Sequence, residues 1–286
     1  MPRPGCTSFD SRTLIILVLA TIVACGTPGP GPAMAGEPDH EASVCGALRE
    51  PLAFWAFRHG AGSVDASRVA GIADIERIAF TTRDGRQLGG YRLRVPVASG
   101  YLLVAQGNAT LADQIARELH YFRRLGVDVY LYDYRGYGLS EGKSRLRAIV
   151  DDYREIAASL NAQPYRRRLL YGMSMGGVIL LNAVGASSNY SALVIDSAPS
   201  RISRYGCPKI YDPVNHLPPD SSRIMIIGGE RDRVVRIAQV EELMQVAESR
   251  GAQVLRHPDL AHPFMDATAD LHQSRFRAVA DFLARR

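Results

Sequence analysis

Two stretches of the 286-residue chain carry the pattern Gly-x-Ser-x-Gly: Gly172-Met173-Ser174-Met175-Gly176 and Gly138-Leu139-Ser140-Glu141-Gly142. Such a serine is a candidate nucleophile where a strand runs straight into a helix, because that turn exposes the hydroxyl and is too tight for large flanking side chains. Ser174 has this setting, with Leu169-Leu170-Tyr171 before it and Val178-Ile179-Leu180 after it. Ser140 lies in a glycine-rich charged loop, and Lys143 to Arg145 delay the next periodic segment, so Ser174 is preferred. A hydroxyl is a weak nucleophile near neutral pH and needs a base within reach and an acid to orient that base. Downstream, the apolar run 224–227 leads into Gly228-Gly229-Glu230-Arg231-Asp232-Arg233-Val234-Val235, which places a carboxylate in a loop at a strand end. The next such run leads into His257-Pro258-Asp259-Leu260-Ala261-His262-Pro263-Phe264. Ser174, Asp232 and His262 are thus the candidate nucleophile, acid and base for acyl transfer. Asp196, ending the run Leu193-Val194-Ile195, is the rival acid; as a bland alternative it caps a strand end. His257 is the rival base, but it abuts a strand and reads as a surface or packing residue. His40, His59, His120, His216 and His272 have no supporting context.

The elements that must position these residues alternate. Residues 75–82 and 87–95 flank Arg83-Asp84-Gly85-Arg86 and predict an antiparallel hairpin with an Asp-Gly turn. Apolar runs of strand length follow at 101–105, 127–133, 168–172, 192–196, 223–228 and 253–256. Helical patterns at 111–125, 146–160, 175–186, 236–250 and 271–284 lie between most of them or after the last. Strands joined by helices in this way predict an α/β fold with a mostly parallel central sheet and helices on both faces. Residues 47–57 and 67–75 also read as helical, and 197–222 are Pro-rich and too short for a large cap. Arg166, Arg167 and Arg168 read as a solvated strand entry.

Residues 75–286 resemble the α/β-hydrolase superfamily, in which the chain order nucleophile, acid, histidine is that of Ser174, Asp232 and His262. Asp133-Tyr134-Arg135-Gly136-Tyr137-Gly138-x-Ser140 resembles the structural loop after the fourth strand in its serine-hydrolase branches. Gln106-Gly107-Asn108-Ala109 resembles the His-Gly-Asn loop after the third strand, with Gln106 standing where histidine is usual. The resemblance implies an oxyanion hole built from the backbone N–H groups of Met175 and Asn108. It implies a serine hydrolase of the esterase, lipase or thioesterase kind, cleaving a carboxylic ester or thioester through an acyl-enzyme on Ser174. Met173, Met175 and Phe264 would offer an apolar wall to an acyl chain. A serine peptidase or amidase uses the same triad, and a binding lipoprotein could keep the fold without the chemistry.

The N-terminus reads as a targeting segment. Arg3 and Arg12 precede an apolar run at 14–24 that is too short to span a bilayer, and Ile22-Val23-Ala24-Cys25 resembles the lipobox of bacterial lipoproteins. The expected organisation is a signal peptide at 1–24, a Pro/Gly-rich tether at 25–40 with Cys25 lipid-modified, and the hydrolase domain at 41–286. That places the protein in a bacterial cell envelope, anchored to a membrane on its periplasmic or extracellular side. Of the four cysteines, this leaves Cys45 and Cys207 as a candidate disulfide in an oxidising compartment. Thirty-four Lys and Arg against twenty-nine Asp and Glu give a formal +5, but the arginines are scattered, which argues against a nucleic-acid partner. No Cys or His pair has metal-ligand spacing and no glycine-rich loop matches a phosphate cradle, so no metal or cofactor is implied. The expected partners are a small-molecule or lipid-like ester substrate and the membrane.

Overall fold

Six buried residues, Gly100–Ala105, form a central strand. Period-two alternation sends Tyr101, Leu103 and Ala105 into one apolar core and Leu102 and Val104 into another, so this strand is covered on both faces. The computed structural model describes residues 40–187 and 189–286. The expected signal segment, Cys25 and all of the tether but His40 lie outside the described residues. The strands are β1 (Ile75–Thr81), β2 (Gln87–Leu93), β3 (Gly100–Ala105), β4 (Val127–Tyr132), β5 (Arg167–Met173), β6 (Ala192–Asp196), β7 (Ile224–Gly229) and β8 (Gln253–His257). They form one sheet in the order β1-β2-β4-β3-β5-β6-β7-β8. β1 pairs antiparallel with β2 and β2 antiparallel with β4, and every other pairing is parallel. The antiparallel hairpin and the mostly parallel sheet are those expected.

Among the described residues six α-helices flank the sheet: α1 (Arg49–Ala61), α2 (Ala112–Leu119), α3 (Leu146–Asn161), α4 (Met175–Leu180), α5 (Ile237–Ser249) and α6 (Ala269–Ala284). Residues of α1, α3, α4 and α5 pack in the core that holds Tyr101 and Leu103; those of α2 and α6 pack in the opposite one. Three expectations need correction. Residues 67–75 form only a 3-10 turn at Ala66–Arg68; Gly71 and Asp74 take left-handed backbone angles that interrupt the helical spacing of Val69, Ile72 and Ile75. The helix expected through residue 186 is α-helical only to Leu180 and continues as a π turn at Leu181–Gly185, where the Asn182 amide donates to the carbonyls of Val178 and Tyr211. Arg166 is exposed, but Arg167 donates to the carbonyls of Leu125, Leu283 and Arg286 and so ties the C-terminal residues to the turn before β4 rather than standing in solvent.

The connection between β6 and β7 contains three 3-10 turns, Ser203–Tyr205, Lys209–Tyr211 and Pro213–His216. It adds no domain over the sheet. Cys207 in this connection is disulfide-bonded to Cys45, 162 residues earlier in the chain. Among the described residues no helix is long and apolar enough to cross a membrane. A cross-link over so long a loop acts mainly by restricting the unfolded chain. We expect Cys45→Ser with Cys207→Ser to lower the unfolding free energy by about 2–5 kcal/mol. Urea unfolding of the double variant checks this; an unchanged midpoint would show the staple to be inert.

Candidate active site

At the end of β5 the chain turns through Ser174, whose backbone is held at φ 53° and ψ −117° before α4 begins. For a non-glycine residue this costs about 1–3 kcal/mol, so the surroundings must enforce it. The Ser174 N–H donates to the Asp196 carbonyl at 2.8 Å, and the Gly177 N–H donates to the Ser174 carbonyl at 3.0 Å. A Cβ at Gly176 would stand 1.9 Å from the Ala105 carbonyl oxygen, and one at Gly172 would stand 2.7 Å from that of Gly176. The glycines let the elbow press against the end of β3. Of the five non-glycine residues with positive φ among those described, Ala109, Ser174, Ser197 and Phe264 lie in loops after β3, β5, β6 and β8. Strain is concentrated at one edge of the sheet.

Asp232 and His262 are brought together at that edge. The loop after β7 places Asp232 so that one carboxylate oxygen accepts the N–H groups of Val234 and Val235, both at 2.8 Å. The other oxygen lies 2.8 Å from Nδ1 of His262, which is mostly buried. Gly229 permits this approach, since a Cβ there would stand 2.1 Å from the Leu260 carbonyl oxygen of the histidine loop. The geometry fits an imidazole held with Nδ1–H donating to the carboxylate and Nε2 left to act. Among the described residues, Oγ of Ser174 and Nε2 of His262 have no hydrogen-bond partner. Asp196 does not pair with a histidine. Its carboxylate accepts from Arg275 at 2.5 Å, from the Tyr171 hydroxyl at 2.9 Å and from Ser197 at 3.1 Å.

The loop after β3 packs beside the elbow, with the Cβ position of Gly107 lying 3.6 Å from Cβ of Ser174. The Asn108 side chain accepts from the Ala109 N–H at 3.0 Å and from the Tyr137 hydroxyl at 2.7 Å, which fixes the loop. The N–H groups of Asn108 and Met175 are not engaged by any described residue. At the histidine-to-glutamine departure, the Gln106 amide donates to the Tyr132 carbonyl at 2.9 Å and its Oε1 is buried without a partner. Ser140 is held as a structural group, with its hydroxyl donating to the Asp133 carbonyl at 2.6 Å and accepting from the Gly89 N–H at 3.0 Å. His257 Nδ1 accepts from the Asp259 N–H at 3.1 Å. Met173 is buried in the core and offers no wall to a ligand, whereas Met175 and Phe264 are partly buried and packed against the two cores.

Beneath these loops lies a group that motif reasoning missed. Arg275 of α6 has no side-chain exposure. It donates to the Asp196 carboxylate, to both Asp266 oxygens at 2.9 and 3.0 Å, and to the Ala261 carbonyl at 2.5 Å. Burial opposes its charge, but Asp196 and Asp266 more than offset this and hold the guanidinium protonated. Burial also works to raise Asp266, yet its neighbours His272 and Arg275 and the Ala261 N–H hold that carboxyl well below the usual range. The one sequence signal is a charge at a core position: Arg275, Val279 and Leu283 share a face of α6, and all three are buried.

Residues 97–217 match the family described as serine aminopeptidase, S33, and this supports a hydrolase. The uncharacterized protein YfhR of Escherichia coli (strain K12) is 25% identical over 235 residues, covering 73% of this chain and 80% of its own. Protein bem46 of Schizosaccharomyces pombe is 24% identical over 240 residues, covering 74% and 77%. Among solved structures, the Pyrococcus furiosus esterase Pf2001 superposes with a TM-score of 0.61 at 16% identity, covering 74% of this chain and 92% of that one. A Xanthomonas campestris member of the a/b serine hydrolases, described as without lid, gives 0.54 at 18% identity, covering 75% and 94%. Sheet order, helix placement and these likenesses define an α/β-hydrolase fold.

Removing one partner of a buried ion cluster leaves the others uncompensated, at a cost of about 3–5 kcal/mol. Arg275→Met, which keeps most of the volume, should lower stability by that amount in urea unfolding. A loss below about 1 kcal/mol, the worth of an exposed pair, would show that the cluster does not hold the fold.

Proposed function

We propose that this protein is a serine hydrolase that cleaves a carboxylic ester or thioester through an acyl-enzyme on Ser174. The observation that carries the reading is the buried Asp232–His262 pair at 2.8 Å, on the same sheet edge as the strained Ser174 turn. Ser174 Oγ attacks the carbonyl carbon while His262 Nε2 takes the hydroxyl proton. Asp232 keeps the imidazole oriented and stabilises its positive charge. The tetrahedral oxyanion accepts hydrogen bonds from the backbone N–H groups of Met175 and Asn108, donors fixed before charge develops. Collapse breaks the bond to the leaving oxygen or sulfur, which takes the proton from His262. Water then attacks the acyl-enzyme with His262 again acting as base, releasing the acid and restoring Ser174. No cofactor enters these steps.

The description of the matching family favours a second reading, release of an N-terminal amino acid from a peptide by the same groups. The lidless edge of the Xanthomonas neighbour and the esterase name of the Pyrococcus one favour ester cleavage. We further propose that the chain is held in a bacterial envelope by lipid on Cys25, with residues 26–40 as tether. Loss of membrane partitioning in Cys25→Ser, with radiolabelled fatty acid no longer incorporated, tests that assignment.

A fluorophosphonate probe, with matched ester, thioester and aminoacyl substrates, tests the chemistry. Ser174→Ala should lose labelling and turnover. Ser140→Ala should keep labelling while losing about 1–3 kcal/mol of stability, because it leaves the buried Gly89 N–H unpaired. Folded wild type that neither labels nor turns over any substrate would leave a non-catalytic binding role.

A further inference from the structure

Helix α1 carries apolar residues on two faces. Phe54 and Ala61 point into the core and Phe57 packs against it. Leu48, just before the helix, with Leu52 and Trp55 forms an i, i+4, i+7 row on the opposite side, exposed by 78%, 52% and 57%. The Cys45–Cys207 disulfide places this row next to the connection that bears Tyr205 and Ile210, which are 40% and 70% exposed. Two further exposed apolar side chains, Val234 and Met265, lie in the acid and histidine loops. Among the described residues, eight large apolar side chains are exposed, and only Val97 lies outside these segments.

All of these segments meet the active edge of the sheet. The Ala61 carbonyl at the end of α1 accepts from Gln114 in the first turn of α2, and Glu50 in its first turn accepts from the Leu146 N–H that opens α3. α2 and α3 begin just beyond the C-terminal ends of β3 and β4, the edge that also carries Ser174, Asp232 and His262. Exposed cations surround the apolar residues there: Arg58, Arg204, Lys209, Arg233 and Arg236, none in an ion pair among the described residues. An apolar row rimmed by unpaired cations matches the layered chemistry of a bilayer surface, with acyl chains beneath anionic headgroups.

The chain that precedes residue 40 bears on what covers this face. It contains Cys25, the proposed point of lipid attachment, and residues 26–39 leave fourteen residues between it and the described domain. At about 3.5 Å per residue they reach no more than about 50 Å. A chain held in a bilayer through its N-terminal segment therefore keeps this face within reach of the lipid surface. We infer that the row Leu48, Leu52 and Trp55 docks onto an anionic lipid bilayer and turns the active edge towards it. The inference goes beyond the hydrolase reading and does not depend on it.

Trp55 is the only tryptophan of the chain, so its emission reports this face alone. The full chain would be reconstituted with vesicles of phosphatidylethanolamine and phosphatidylglycerol in equal amounts, with and without bromine on the acyl chains. Docking predicts a blue shift of Trp55 emission on adding vesicles, loss of emission with the brominated lipid, and loss of both effects in Leu52→Glu. Since Leu52 is exposed, that variant should unfold at the wild-type urea midpoint. Vesicle-bound protein whose emission stays unshifted and unquenched would overturn the inference. So would failure to bind vesicles, or a blue shift that grows with protein concentration in their absence, the mark of a second copy on the face. None of these readouts requires turnover, so their failure leaves the hydrolase proposal standing, and absence of turnover leaves the docking result readable.

Discussion

One guanidinium with no access to water ties together the two loops that any chemistry at this edge requires. Arg275 reaches from α6 to the Asp196 carboxylate, and the main chain of Asp196 accepts the Ser174 N–H. Its other nitrogens reach Asp266 and the Ala261 carbonyl, next to His262. The nucleophile turn and the histidine loop come from strands separated by β6 and β7. Nothing in local sequence sets the distance between them. A buried cation shared by both loops does, because moving either one would strand a charge in a low-dielectric interior.

The same network explains why two carboxylates at neighbouring strand ends have different partners. Asp196 is surrounded by an arginine and two hydroxyls: one oxygen accepts a charge-assisted bond from Arg275 together with the Ser197 hydroxyl, and the other accepts from the Tyr171 hydroxyl. Asp232 receives two main-chain N–H groups on one oxygen and keeps the other for His262. The loop after β7 is thus folded around its own carboxylate, which presents a free oxygen along one direction only. A carboxylate fixed in this way can both hold a neighbouring imidazole in one orientation and stabilise a positive charge on it.

Much of this edge was legible from the chain. Apolar runs, with the Asp-Gly turn for the hairpin, marked each strand to within about two residues; the central strands β3, β4, β6 and β7 are buried on both faces and leave little room for polar interruption. The Ser174 turn was distinguishable from Ser140 by strand and helix context, and the structure gives a physical reason: Gly172 and Gly176 sit where any Cβ would meet main chain. The 67–75 segment was misread because apolar spacing outweighed Gly71 and Asp74, whose left-handed backbone no periodicity reveals. Arg275 was passed over because a lone arginine in an amphipathic helix reads as solvated. Its burial depends on Asp196 and Asp266, 79 and 9 residues away. Long-range compensation of charge is invisible to any local pattern.

The bare edge follows from how the β6–β7 connection is held. Twenty-seven residues separate Asp196 from Ile224, enough for a mobile flap, yet they are stitched close to the body. Asp212, wholly buried, accepts the N–H and hydroxyl of Ser203 at 2.7 and 2.8 Å and also meets Arg201. Ser200 accepts the Leu243 N–H of α5 and donates its own N–H to the Gln239 carbonyl. Cys207 is bonded to Cys45. A segment held by buried hydrogen bonds and a covalent bond is poorly suited to open and close. Among the described residues, the β6–β7 connection is therefore a fixed wall beside this edge and not a segment built to swing over it.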